Sequence, residues 1–438
     1  MRPIRLAEVL GGLSFALDLT EGQPGGHILR TTLIGMALGA RAGLDAPELA
    51  DLYYALLLKD IGCTANSSRT AALLAADDRE VKPALKLTDL GTRRGKANWA
   101  FRVVARHERP FKRGRTILGL ARGEGRHEAL IRLRCERGRE LAYDLGFPPA
   151  VAEAIGSLDE HWDGNGYPDG LQGEAIPFFS RILLLAQTAE VFAAARGTGE
   201  ALDVVRRRSG RWFDPALTPL LDAELLDELP GDEGSVLAAV VEAAPPGATE
   251  EATEAHVTQV AHAFAEVVDA KSPWTARHSH RVAAVVTGVA ERTGQFVDSE
   301  LVRAALLKDI GTLGISSRIL DKAGALTWRE WEEVRGHAAT GAELLARVEP
   351  YRPIAAAAAE HHERLDGSGY PRGLRGDEIA PVPRLLAVAD AFESLTAGRP
   401  HRPPVGPNEA VAHLRAEHGR RLDRQLLDAL AEFVAEGS

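Results

Sequence analysis

The chain has 438 residues, of which 45% are apolar, 26% charged and only 5% aromatic, enough for two or more ordinary globular domains. That composition excludes collagen, a long coiled coil and wholesale disorder. Two cysteines, Cys63 and Cys135, exclude a disulfide framework and place the chain in a reducing compartment.

At the N-terminus the apolar run Leu6–Leu10 is broken by Glu8 and followed by Asp18, which argues against a signal peptide. No stretch approaches the roughly 20 apolar residues of a membrane helix, so the expectation is a cytoplasmic protein without a membrane partner. His27-Ile28-Leu29-Arg30 comes next, then the apolar segment Ala55-Leu56-Leu57-Leu58-Lys59-Asp60-Ile61-Gly62. The net charge of −10 conceals a basic block from Arg79 to Arg139, where 18 Lys and Arg stand against 6 Asp and Glu. Such a block can attract polyanions. It has few aromatics to stack bases (Trp99, Phe101, Phe111) and no nucleic-acid fold signature, so a solvated or internally paired arginine surface is expected and nucleic acid is disfavoured as a partner. The glycine-rich stretch Asp163–Gly173 reads as a loop. Ala243-Ala244-Pro245-Pro246-Gly247 cannot continue a helix and predicts a linker over 243–250.

Beyond the linker the same elements return in the same order. His278-Ser279-His280-Arg281 answers the first histidine segment. Ala304-Ala305-Leu306-Leu307-Lys308-Asp309-Ile310-Gly311 answers the apolar segment, and Asp366–Gly376 answers the loop with its Gly-Tyr-Pro. The chain therefore reads as a tandem duplication, residues 1–242 and 251–438, with an insertion at about 63–130 in the first copy. Val257, Val260, Ala261, Phe264, Val267 and Val268 recur at helical spacing, as do Val282, Val285, Val286 and Val289. Pro383 can open a helix with Leu385, Val388, Ala389, Phe392 and Leu395 inward. No run alternates as a strand does. The fold class expected is all-α, two tandem helical bundles.

Ten of the fourteen histidines lie beyond residue 250. His278 comes first, Lys308-Asp309 closes an apolar helix, His337 precedes Gly341, His361 and His362 are adjacent, and Asp390 sits inside the last apolar helix. A lone histidine on an apolar face is usually a satisfied core group. Imidazoles and carboxylates together, two of the imidazoles adjacent, suit a divalent transition metal.

The second copy resembles the HD-GYP domain, a branch of the HD superfamily of metal-dependent phosphohydrolases. The resemblance spans about residues 255–438 and rests on His361-His362-Glu363-Arg364-Leu365-Asp366-Gly367-Ser368-Gly369-Tyr370-Pro371, on Ala389-Asp390-Ala391-Phe392-Glu393-Ser394-Leu395-Thr396, and on Arg399-Pro400-His401-Arg402. It implies an all-α bundle holding iron or manganese, one or two ions per chain here, and cleaving a cyclic dinucleotide, with cyclic di-GMP as the family's usual substrate. By family position Asp309 is the catalytic, metal-bridging carboxylate. One ion would be held by His278, the residue at 308, Asp309 and Asp390, and the other by Asp309, His337, His361 and His362. Arg399, Arg402 and Thr312 fall on substrate-binding positions.

Two positions depart from the family pattern. Lys308 stands where the family has a histidine ligand, and Thr312 where it has a lysine near the substrate phosphate. A protonated lysine has no lone pair to give a metal, so Lys308 is expected to replace the first ion's charge beside Asp309 and Asp390. The first copy departs further, with Leu158-Asp159 in place of the His-His pair, Arg134 in place of His337 and Gln187 in place of Asp390. It is expected to assemble no metal cluster and to serve regulation, homodimerisation or a signalling partner. Two functions remain open: a metal-dependent phosphodiesterase in bacterial signalling, and a weakly active or inactive nucleotide- or partner-binding regulator.

Overall fold

The computed structural model describes residues 4–436, apart from 90–92, 107, 122, 124–125 and 401. Among the described residues every regular element is a helix, with isolated β-bridges and no strand. The chain divides into two compact units, Met1–Ala252 and Thr253–Ser438.

In the second unit the helices Glu254–Asp269, His278–Arg292, Ser299–Leu307, Trp328–Ala346, Ala355–Glu360 and Pro381–Thr396 pack around one core. Local chemistry sets their ends. Asp298 accepts from Leu301 N at 2.8 Å, and Thr327 and Glu330 form a reciprocal capping box. Asp269 ends the first of these helices and accepts from Ser279 N at 3.1 Å and Ser279 Oγ at 2.8 Å, which ties it to the start of the next helix. That tie fixes the position of His278. The Ser299–Leu307 helix is buried through Ala304, Ala305, Leu306 and Leu307, so the chain emerges at Lys308-Asp309 deep inside the unit. A Cβ on Gly311 would lie 2.0 Å from His337 O and 2.6 Å from Gly341 N. Only glycine lets the turn after Asp309 approach the helix that carries His337.

The first unit uses the same devices. Helices Leu6–Glu21, His27–Arg41, Ala46–Leu58, Arg126–Asp144, Pro149–Gly156 and Phe178–Arg196 enclose its core. Asp18 accepts from Gly26 N and Ile28 N as Asp269 does from Ser279, and a Cβ on Gly62 would lie 2.2 Å from Arg134 O. Phe178–Arg196 is the one described helix long and apolar enough to cross a membrane, which the sequence reading did not anticipate. It is largely buried inside its unit.

The insertion is itself helical, with Ser67–Leu74, Asp78–Lys86, Arg93–Val103 and Pro110–Ala121 around a small core of Leu74, Ala76, Val81, Val104 and Ala105. Part of the basic block (90–92, 107, 122 and 124–125) lies outside the described residues. Elsewhere many of its charges are paired within the unit: Lys82 and Lys86 with Glu21 at 3.1 and 2.8 Å, Arg132 with Asp169 at 2.7 Å, and Arg134 with Asp159. The segment expected to be a linker over 243–250 ends just before the division between the units and is packed on the first of them. Its Pro246–Ala248 turn lies against the Ala46–Leu58 helix, Ala248 is buried, and Tyr54 Oη donates to Ala248 O at 3.3 Å. The prolines end the helix as expected, but the small residues after them bury against that face.

Candidate metal centre

Two groups of side chains in the second unit come close enough to hold an ion, and they share Asp309. One is Asp309, His337, His361 and His362; the other is His278, Asp309 and Asp390.

In the first group the backbone orients the imidazoles. His337 Nδ1 lies 2.5 Å from Val334 O, and His361 Nδ1 lies 2.7 Å from Ala358 O. A carbonyl only accepts, so each Nδ1 carries the proton and each Nε2 keeps its lone pair. Those Nε2 atoms face Asp309 Oδ1 at 3.5 and 3.3 Å, are buried, and have no hydrogen-bond partner among the described residues. Lone pairs directed at a carboxylate oxygen repel it unless a cation lies among them. The residues therefore fit a divalent metal. His362 closes the group, its ring centroid 4.0 Å from that of His361 and 5.1 Å from that of His337. Burial lowers the pKa of His361, and burial together with its neighbour His361 holds His362 well below the usual histidine range, so both rings are neutral. Burial opposes ionisation of Asp309, but the Lys308 ammonium beside it holds its carboxyl well below the usual range.

The second group is already filled. Lys308 Nζ lies 3.1 Å from His278 Nε2 and 2.6 Å from Asp390 Oδ1, and it also contacts Asp309 Oδ2. Its side chain is 1% exposed. Burial disfavours the charge, but Asp309 and Asp390 outweigh it and raise the lysine pKa above its ordinary value. Burial and the Lys308 charge oppose protonation of His278, but its bonds with Asp309, Asp390 and Glu393 outweigh them and push its pKa up to about 10. Its Nδ1 contacts Glu393 Oε2, and its Nε2 lies 3.2 Å from Asp309 Oδ2 and 3.3 Å from Asp390 Oδ1 as well as beside Lys308.

Glu393 escaped the sequence reading. It joins His278 to Arg281 (Nε, 2.8 Å) and Arg399 (Nη2, 3.1 Å). Arg399 also donates to Trp274 O at 2.7 Å. Arg402 lies close by in sequence but is engaged differently. Its Nη1 donates to Leu395 O at 2.9 Å and Pro403 O at 3.1 Å, and its Nη2 to Ser394 O, so the guanidinium braces the chain after the Pro381–Thr396 helix. Thr312 Oγ1 donates to Asp309 O at 2.7 Å. His401 lies outside the described residues.

Glu363, buried just after the histidine pair, was also not assigned a role. Its carboxylate accepts from Arg372 N at 2.7 Å, Gly373 N at 3.1 Å and Leu374 N at 3.0 Å. This anchors the glycine-rich loop so that Tyr370 stacks on His362, with centroids 4.7 Å apart. Glu363→Ala leaves three amide donors without their charged acceptor. We expect a stability loss of about 2–3 kcal/mol in denaturant unfolding. A loss below about 0.5 kcal/mol, the scatter of surface substitutions, would show that the loop holds without this anchor.

The first unit presents the same frame with His27 and Asp60 kept and the other donors replaced. Lys59 Nζ lies 3.3 Å from His27 Nε2 and 2.8 Å from Gln187 Oε1, and it contacts Asp60. Glu190 contacts His27 and accepts from Arg30, and Glu160 accepts from Asp169 N, Gly170 N and Leu171 N. The guanidinium of Arg134 pairs with Asp159. Glu21, Asp60 and Cys63 also converge closely enough for an ion. Lys59, Lys82 and Lys86 already pair with the two carboxylates, and burial, with Glu21 and Asp60, pushes the Cys63 thiol far up. His161 stacks on Trp212, with centroids 4.2 Å apart.

A family model described as "HD domain" matches residues 121–217 and 262–426, reaching into both units. The chain is 40% identical over 446 aligned positions to 3'3'-cGAMP-specific phosphodiesterase 3 of Vibrio cholerae, covering 98% of this chain and 94% of that protein. It is 38% identical over 169 positions to a cyclic di-GMP phosphodiesterase of Thermotoga maritima, covering 37% of this chain and 45% of that one. A crystal structure of a cyclic GMP-AMP specific phosphodiesterase from V. cholerae matches 99% of this chain and 98% of its own, with 36% identity and a TM-score of 0.64.

Proposed function

The chain belongs to the HD domain family, and from that premise we propose that its second unit is a metal-dependent phosphodiesterase of HD-GYP type acting on a cyclic dinucleotide. The observation that carries the proposal is the pair of buried, unpartnered Nε2 atoms of His337 and His361 facing Asp309 Oδ1. Asp309, His337, His361 and His362 would hold the ion, with iron or manganese matching the mixed imidazole and carboxylate donors. When bound, such an ion screens the phosphodiester charge and lowers the pKa of a water. Hydrolysis then adds water across one P–O bond and opens the ring to a linear dinucleotide.

The chain's own residues supply position and charge. Val334 O and Ala358 O hold the imidazoles of His337 and His361 in the ligating tautomer. Glu393 fixes His278 and Arg399 together, and Arg399 is the guanidinium proposed to meet a substrate phosphate. Arg402 keeps the Arg399 segment in place through its carbonyl contacts. The first unit, its donors replaced, is proposed as a regulatory or dimerising module.

The near full-length relative is named for 3'3'-cGAMP, and a part-length one for cyclic di-GMP. The substrate proposed is therefore 3'3'-cGAMP ahead of cyclic di-GMP. With manganese-loaded full-length protein, kcat/KM is expected to favour 3'3'-cGAMP by roughly tenfold or more, equivalent to at least ~1.4 kcal/mol in the transition state. A preference for cyclic di-GMP overturns the substrate order. Lys308 favours the competing reading of a regulator without turnover. Tight nucleotide binding with no linear product from either substrate would establish that reading.

A further inference from the structure

His278 Nε2, Asp309 Oδ2 and Asp390 Oδ1 form a cage of the size and chemistry that holds a metal ion. Its centre is taken by an atom of the chain itself. Lys308 Nζ reaches all three ligand atoms, and only 1% of the lysine side chain is exposed. The ammonium is thus enclosed by the cage and turned away from any substrate. Asp309 contributes Oδ2 to this cage and turns Oδ1 toward His337 and His361. One carboxylate thus lies between a covalently tethered cation and a set of free lone pairs.

The arrangement recurs in the first unit, where Lys59 reaches His27, Asp60 and Gln187. There the neighbouring position is taken instead by the ion pair of Arg134 and Asp159. Within one chain, then, one unit combines a tethered ammonium with an open donor set, and the other combines a tethered ammonium with an arginine ion pair.

We propose that Lys308 is a permanent, non-exchangeable occupant of the His278–Asp309–Asp390 cage, so that the chain holds a single metal ion and the lysine supplies the second positive charge. This inference rests on the metal site of the proposed function and specifies its stoichiometry. The cage is otherwise competent. Removing the ammonium should open it, and replacing it with an imidazole should complete a four-donor set of His278, residue 308, Asp309 and Asp390.

The test is to add manganese(II) to metal-stripped full-length protein, remove the excess and count the retained ion by elemental analysis, alongside electron paramagnetic resonance. Wild type is expected to retain one ion per chain with the six-line spectrum of an isolated manganese. Lys308→His is expected to retain two, with the lines of a coupled pair, and Lys308→Ala provides a second route to an open cage. Two coupled ions in wild type overturn the inference and leave the metal site of the proposed function standing. One ion in wild type and in both variants, with circular dichroism unchanged, overturns it too, because the cage is then no metal site. No ion in wild type overturns the metal site itself and this count with it.

Discussion

Alanine at His361 will strip the metal ion from the full-length protein, and Asp309→Ala will do the same, whereas Asp60→Ala in the first unit will leave metal content unchanged. Losing a partner that merely orients a ligand costs 10–100-fold in metal affinity, so losing a ligand is expected to cost more than about 100-fold. Phosphodiesterase activity should fall with occupancy. The contrast follows from the surroundings of the two aspartates. Asp309 faces the unpartnered Nε2 atoms of His337 and His361, whereas Asp60 is fully buried against Lys59. Elemental analysis of the three purified variants checks the expectation. Equal metal in all three would place the ion elsewhere.

The largest stability effect is expected at the two buried lysines. Methionine keeps an unbranched side chain one atom shorter than lysine and removes the ammonium. Lys308→Met leaves Asp309 and Asp390 without their cation, and Lys59→Met does the same to Asp60. Breaking a buried ion pair by removing one partner costs about 3–5 kcal/mol. Lys59→Met should stand at the upper end, because both Lys59 and Asp60 side chains are 0% exposed, whereas Asp309 and Asp390 are 13% and 15% exposed and can take up water. Added manganese(II) should restore much of the stability of Lys308→Met, whose vacated cage has two carboxylates, and little of Lys59→Met, whose cage has Gln187 in place of the second. Denaturant unfolding with and without the ion measures both. Losses below about 1 kcal/mol would mean that the ammonium groups are not the counter-charge of these carboxylates.

Much of this was legible in the sequence because it was written in short range. Helical spacing gave the bundle, glycines and Pro371 gave the loop, and the adjacent His361 and His362 marked the donor set. Lys308 stood out because its charge is wrong for its position. Glu393 and Glu363 did not stand out. A glutamate on a helix or after one is ordinary, and what makes Glu393 special is His278, 115 positions away. The signal lay in comparing the two copies, since Glu363 and Glu160, Glu393 and Glu190, and Arg281 and Arg30 keep both identity and contacts where His337, His361, His362 and Asp390 do not. The packing of the Pro246–Ala248 segment was hidden for a different reason. Proline and glycine report that a helix stops, not whether the chain after them is buried. The engagement of Arg402 with backbone carbonyls was equally invisible, because a carbonyl acceptor leaves no mark on residue type.

The exchange of Asp390 for Gln187 separates the two interiors by electroneutrality. In the first unit the charge of Lys59 cancels that of Asp60, and the amide of Gln187 completes the set without adding any. In the second unit Lys308 faces both Asp309 and Asp390, two carboxylates to one ammonium, with His278 joined to the same set. The first interior is self-sufficient. The second holds one carboxylate more than its lysine can neutralise, and the histidines that Asp309 faces on its other side are replaced in the first unit by Arg134, Leu158 and Asp159.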